Sequence, residues 1–196
     1  PSLLTEWNLE KSHLAPVMSA ALFGLAVGAV SFGPVADKVG RKTVLIIAVF
    51  IFSTCSIASA FAQNLEQLEI LRFITGVGLG AAMPNISTIV SEYMPARRKA
   101  FLTGLAGCGF MLGISCGGLM SAYMLESMGW SKVIIIGGII PLLLVVVLVL
   151  KMPESTQYLI KNQKTAQAQR ILEKIQGAPF AEGTELVLPK SEIQGN

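Results

Sequence analysis

The run at residues 133–150, VIIIGGIIPLLLVVVLVL, holds no charge and no polar side chain. Its length approaches the about 20 residues that a helix needs to cross a bilayer. A helix apolar all round has no face to offer water, so it must lie against lipid or be fully buried. Four further blocks read the same way, at about residues 14–36, 43–61, 68–90 and 101–125. Charged residues make up 14% of the chain, where a soluble domain has about 25%. The surface needed to face water is missing, and the sequence predicts an all-α membrane protein of about five spans.

Between the blocks the basic residues alternate. The first connection holds Lys11, the next Lys38, Arg41 and Lys42, and residues 62–67 hold none. Arg97, Arg98 and Lys99 follow, then Lys132, then a lysine-rich tail from Lys151. By the positive-inside rule the 37–42 and 92–99 segments and the tail are cytoplasmic, and the N-terminus is periplasmic. A net charge of +3 distributed in this way reports topology and leaves no role for nucleic acid.

The first basic connection reads GPVADKVGRK, residues 33–42. Asp37 is placed among cations, and the two glycines permit tight turns or close helix approach. An ordinary basic turn would meet the same charge rule. The spacing of Gly33, Asp37, Gly40, Arg41 and Lys42, however, resembles the signature loop of the major facilitator superfamily. In that family the loop joins the second and third membrane helices on the cytoplasmic side and takes part in gating. The resemblance implies a helical bundle in which these spans are the second to sixth. A half of such a transporter starts inside, so one further helix is expected before Pro1.

Arg72 lies inside the third span. A charge there costs about 2.5–3.5 kcal/mol on insertion scales, which makes it a functional candidate; the plain alternative is snorkelling to the interface. The spacing from Arg72 to Gly76 and Gly78 also resembles the family's fourth-helix motif, implying proton coupling or contact with a substrate anion. Glu92 ends the same span near Arg97, Arg98 and Lys99, and reads either as a gate or as a solvated pair worth about 0–1 kcal/mol. Asn85, after Pro84, wants a hydrogen-bond partner, either substrate or another helix. Small-residue faces at Gly24 and Gly28, at Gly76, Gly78 and Gly80, and at Gly109, Gly113 and Gly117 are expected to pack helices.

Other chemistry is poorly served. Cys55, Cys108 and Cys116 lack metal-site spacing and read as small buried hydrophobes; His13 reads as a surface residue. The glycines at 76–80 follow no strand, which excludes a dinucleotide site. No cofactor, metal or enzymatic activity is expected. Residues 153–196 read as part of a central cytoplasmic loop, with Ser155 or Thr156 as N-cap. One amphipathic helix over 157–176 follows, with Ala168, Leu172 and Ile175 on a face, stopped by Gly177 and Pro179. A mobile linker is expected from 181 to 196, and Trp7 reads as an interfacial aromatic.

Longer stretches, among them SAALFGLAVGAVSFGPVADKVGRK, GLGAAMPNISTIVSEYMPARRK, GCGFMLGISCGGL and MPES, resemble the aromatic acid/proton symporters of that superfamily. Ile114 stands where drug antiporters of the superfamily carry proline, which disfavours antiport. The resemblance implies a secondary active transporter in the bacterial inner membrane. It would take up an aromatic or related organic acid with protons, and be a monomer among lipids when intact. A sugar or other metabolite porter, or a non-transporting membrane sensor, are the rival readings.

Overall fold

The computed structural model describes residues 10–93 and 96–176. Trp7 and the 181–196 segment lie outside those residues, as do the side chains of Arg97, Arg98, Lys99 and Ile175. After a short 3-10 turn at Lys11–His13 come α1 (Leu14–Val39), α2 (Arg41–Ser59), α3 (Leu65–Tyr93), α4 (Ala96–Met128) and α5 (Trp130–Lys151). Each of these five is long and apolar enough to cross a membrane. Two short helices follow, α6 (Thr156–Lys161) and α7 (Thr165–Gln176). Among the described residues there is no strand.

The helices run further than the apolar blocks. The basic connection at 37–42 shrinks to Gly40 alone, between the last residue of α1 and the first of α2. Its φ is +108°, a value that side chains other than hydrogen resist. Helical spacing carries across the break, because Arg41 Nη2 pairs with Asp37 Oδ1 four residues back at 2.9 Å. The basic segment at 92–99 is likewise mostly helix, with α3 reaching Tyr93 and α4 starting at Ala96. At the opposite end Asn64 opens α3. Its Oδ1 accepts the Gln67 N–H at 2.8 Å, and Gln67 Oε1 accepts the Gln63 N–H at 3.1 Å. Asn64 is thus the N-cap of α3, and Gln67 reaches back to the residue before it.

Helix α3 sits between α1 and α2. Toward α1 the contact is backbone on backbone. A Cβ added to Gly24 would stand 2.1 Å from the Phe73 carbonyl oxygen, and one on Gly28 2.1 Å from that of Val77. The arrangement is reciprocal: a Cβ on Gly76 would lie 2.1 Å from Ala21 O, and on Gly80 2.0 Å from Leu25 O. Toward α2, a Cβ on Gly78 would come within 2.8 Å of Ala48 O. Such approach matters because lipid supplies no hydrophobic drive between helices, leaving packing to hold them. The small core of Leu45, Ala48, Ala81, Ala82 and Ile89 lies in this sandwich. Helix α5 packs on the other side of α2, at Gly138 near Ser53 and Ile57. Buried hydroxyls bond back to their own helices, as Ser53 does to Val49 O at 2.6 Å and Thr75 to Leu71 O at 2.6 Å.

Helix α4 stands largely bare. Residues 103–123 are exposed throughout, and nothing lies within 4 Å of where a Cβ would be on Gly109, Gly113 or Gly117. The structure brings no neighbour to that glycine face. Cys108 and Cys116 are exposed on it too, and Cys55 is only half-buried. The expectation of buried cysteines is therefore corrected, because the helix that carries two of them has little packed against it.

The tail also departs from expectation, being two helices where one over 157–176 is predicted. Gln163 adopts φ +58°, the left-handed conformation that ends helices. Its N–H bonds Ile160 O at 3.1 Å, and the Lys164 N–H bonds Leu159 O at 2.8 Å. That is the paired closure of a Schellman motif, formed here on glutamine in place of glycine.

Candidate functional site

At the basic end the tips of α1, α2 and α3 meet the start of the tail. Gly40 cannot cap α2 with a side chain, and none of its own neighbours does so. The Glu154 carboxylate, 112 residues away, takes that place: Oε1 accepts the Lys42 N–H at 2.9 Å. An anion at a helix N-terminus is favoured by the unpaired N–H groups and the helix dipole. The same oxygen accepts the Ser155 N–H at 3.0 Å. Lys42 in turn reaches the other way, Nζ donating to Val149 O at 3.0 Å near the last turn of α5. Gly40 is required twice over, since a Cβ there would also stand 2.8 Å from Glu154 Oε2.

Glu92, on the last turn of α3, is the buried charge of this cluster, its side chain 2% exposed. Arg41 Nε lies 3.5 Å from Glu92 Oε1 while the same guanidinium holds Asp37. At 3.5 Å that contact is an ion pair without a hydrogen bond, and Oε1 has no hydrogen-bond partner among the described residues. The other oxygen is held more closely: Ser155 Oγ donates to Oε2 at 2.7 Å. Ser155 is fully buried and also caps α6, accepting the Tyr158 N–H at 3.2 Å. Beside it, Tyr93 donates its hydroxyl to the Glu154 carbonyl.

Of the expected residues, the structure thus joins Gly40, Asp37, Arg41, Lys42 and Glu92. Gly33 faces open space. Glu154, Ser155 and Tyr93 were not expected here. Ser155 was legible only as a cap, and the partners of all three lie more than 60 residues away.

Near the other end, Arg72 borders a cavity of ≈ 490 Å³ between α1, α3 and α5. Val17, Leu22, Leu68, Trp130 and Ile134 supply apolar walls. Among the described residues Arg72 has no hydrogen bond or ion pair. A guanidinium over an apolar, partly aromatic wall suits a planar carboxylate. Asn85 lies elsewhere, buried in the helix sandwich, with Nδ2 donating to Ala81 O at 2.7 Å. Its amide is turned onto its own helix. No group of side chains able to hold a metal occurs among the described residues.

Five membrane-length helices, with a charged cluster at one end of the bundle and Arg72 beside an apolar cavity near the other, define a polytopic bundle of transporter type. The chain belongs to the Major Facilitator Superfamily, whose family model matches residues 1–190. It is 45% identical over 193 residues to the 4-hydroxybenzoate transporter PcaK of Pseudomonas aeruginosa, covering 98% of this chain and 43% of that protein. To the gallate transporter of Pseudomonas putida it is 43% identical over 195 residues, 99% of this chain and 43% of that protein. The fold matches the xylose transporter XylE from E. coli in a partially occluded inward-open conformation, with a TM-score of 0.78 at 24% identity. That match covers 85% of this chain and 45% of XylE. The chain spans 43% of the length of the curated relatives named here. It is a multi-pass membrane protein of a transporter family, not of an enzyme family.

Proposed function

We propose that this chain forms part of a secondary transporter that takes up an aromatic carboxylate together with protons across the bacterial inner membrane. The basic end, with the tail, faces the cytoplasm in this reading, as the Lys/Arg distribution favours. Arg72 then lies toward the periplasmic side, where it holds the substrate carboxylate or the ionised form of a coupling acid. The cluster of Asp37, Arg41 and Glu92 is the cytoplasmic gate, broken when two halves rock about the substrate. Arg97, Arg98 and Lys99 are kept as further gate residues on sequence grounds alone.

The observation that carries the reading is Arg72, without an ion pair among the described residues, beside an apolar cavity in a chain 45% identical to a 4-hydroxybenzoate transporter. The test is uptake of labelled 4-hydroxybenzoate and gallate by the full-length protein in membrane vesicles, with and without an imposed pH gradient. Accumulation that collapses with the gradient and is lost in Arg72→Ala supports the proposal. Accumulation indifferent to the gradient overturns symport. Accumulation of a sugar without either acid would favour the sugar-porter alternative.

A further inference from the structure

Phe23 of α1 and Phe73 of α3 stack across the seam between those helices, with ring centroids 6.2 Å apart and planes inclined at 30°. Phe23 precedes Gly24, and Gly24 meets the Phe73 carbonyl, so both rings are carried where the two backbones touch. With Ala20, Glu66, Glu69 and Ile70 they line a cavity of ≈ 470 Å³. It lies at the end of the bundle opposite the charged cluster, and it shares no lining residue with the Arg72 cavity. The charge here is unbalanced. Glu66 is exposed and Glu69 half-buried, and three residues apart they are neighbours on one face of α3. Among the described residues neither has a hydrogen bond or an ion pair. Residues 62–67 bring no Lys or Arg beside them. Glu66 stands in the first turn of α3, where a negative charge favours the helix. Glu69 lies beyond that turn, and the benefit does not reach it.

We propose that this cavity binds an ammonium group carrying alkyl substituents, a ligand of opposite charge to the one assigned to Arg72. The face of an aromatic ring attracts a cation, most strongly where water is displaced. A hydrated metal ion would gain nothing from Phe23, Ile70 and Phe73, and no group of side chains able to hold a metal occurs among the described residues. An anion would meet two carboxylates. An alkylammonium uses the whole lining: its charge faces Glu66 and Glu69, and its methyl or methylene groups lie against the rings. The backbone seam fixes where the rings start, so less freedom is lost on binding. Phe23 is 67% exposed, which leaves the cavity open both to a small free ammonium compound and to the headgroup of an amine phospholipid.

The experiment is amide exchange across residues 65–74 of the full-length protein in phosphatidylglycerol nanodiscs, titrated with tetramethylammonium chloride. Saturable slowing is expected, and sodium chloride at the same ionic strength should not reproduce it. Changing Glu66→Gln and Glu69→Gln together should abolish the response while keeping the shape of both side chains. Phe23→Leu, at a ring too exposed to be needed for folding, should raise the midpoint about two- to fivefold, the scale of an exposed cation–π contact. Nanodiscs with added phosphatidylethanolamine separate the sources. Slow exchange already present there, with no further effect of tetramethylammonium, identifies the lipid headgroup as ligand. Equal slowing by tetramethylammonium in both lipids identifies a free ammonium compound. Slowing that sodium chloride reproduces, or that survives in the double glutamine variant, overturns the proposal. Exchange indifferent to both the salt and the lipid overturns it too, and would mean that another part of the full-length protein covers the cavity. None of these outcomes depends on the role of Arg72.

Discussion

Gly24 and Phe73 meet with no side chain between their backbones: a Cβ on the glycine would lie 2.1 Å from the Phe73 carbonyl oxygen. Gly28, Gly76 and Gly80 repeat the contact along α1 and α3. Gly24→Ala or Gly76→Ala must therefore push the helices apart, with overpacking expected to cost about 1–3 kcal/mol. Thermal unfolding of the detergent-solubilised 196-residue chain checks this, with Gly109→Ala, which meets open space, as the unchanged control. Equal melting of all three would mean that the helix contact contributes nothing.

Glu154 caps a helix that it is far from in sequence. Glu154→Ala leaves the Lys42 and Ser155 N–H groups without their acceptor, at about 1–3 kcal/mol for a stranded buried donor. Glu154→Gln keeps an acceptor and loses only the charge, so it should recover most of that loss. Amide exchange at Lys42 separates the two; identical rates in both variants would refute the capping role.

At Gln163 the opposite sign is expected. A non-glycine residue in the left-handed region carries a local steric cost of about 1–2 kcal/mol, so Gln163→Gly should tighten the turn between α6 and α7. Slower exchange of the Lys164 amide is the expected reading, and Gln163→Val, β-branched at the same φ of +58°, should speed it. Faster exchange in the glycine variant would contradict the assignment.

Arg72 is tested by its shape as much as by its charge. Lysine keeps the charge and loses the planar fork, so Arg72→Lys should retain partial uptake of 4-hydroxybenzoate. Arg72→Ala should lose about tenfold or more, the loss expected when a charged contact of about 1.5–3 kcal/mol is removed. Wild-type uptake by Arg72→Ala would make the residue an interfacial anchor.

The proposed orientation has its own check. Cysteines placed at Lys38 and Lys161 should react with an impermeant maleimide only from the cytoplasmic face, and one at Asn64 only from outside. Reaction of Asn64→Cys from the cytoplasm would reverse every assignment of sides.

What could be read from the sequence, and what could not, divides by the range of the forces involved. The five spans were legible because membrane insertion is decided by composition over about 20 residues. The helix ends were not, since charged residues such as Asp37 and Arg41 can continue a helix by pairing across Gly40. Gln163 hid the break in the tail because left-handed caps are usually glycine or asparagine. The site divides similarly. Asp37, Arg41 and Glu92 stand out as charges at the edges of apolar blocks, and Gly40 as part of a spaced motif. Tyr93, Glu154 and Ser155 acquire their partners only when the chain closes over separations of 61, 112 and 63 residues. Asn85, read from sequence as wanting a partner in substrate or another helix, donates to Ala81 O on its own helix, a local bond that the sequence pattern does not signal.

The backbone seam between α1 and α3 gives those helices the mechanics of a lever. Arg72 and Glu92 stand on the same helix, with Pro84 between them, about 30 Å apart at 1.5 Å per residue. With no layer of side chains at the seam to absorb sliding, a tilt imposed near Arg72 is not dissipated between the two helices. A tilt of about 5° over that length displaces the far end by about 3 Å. Directed away from Arg41, a displacement of that size would carry Glu92 from 3.5 Å past the about 4 Å limit of ion-pair contact.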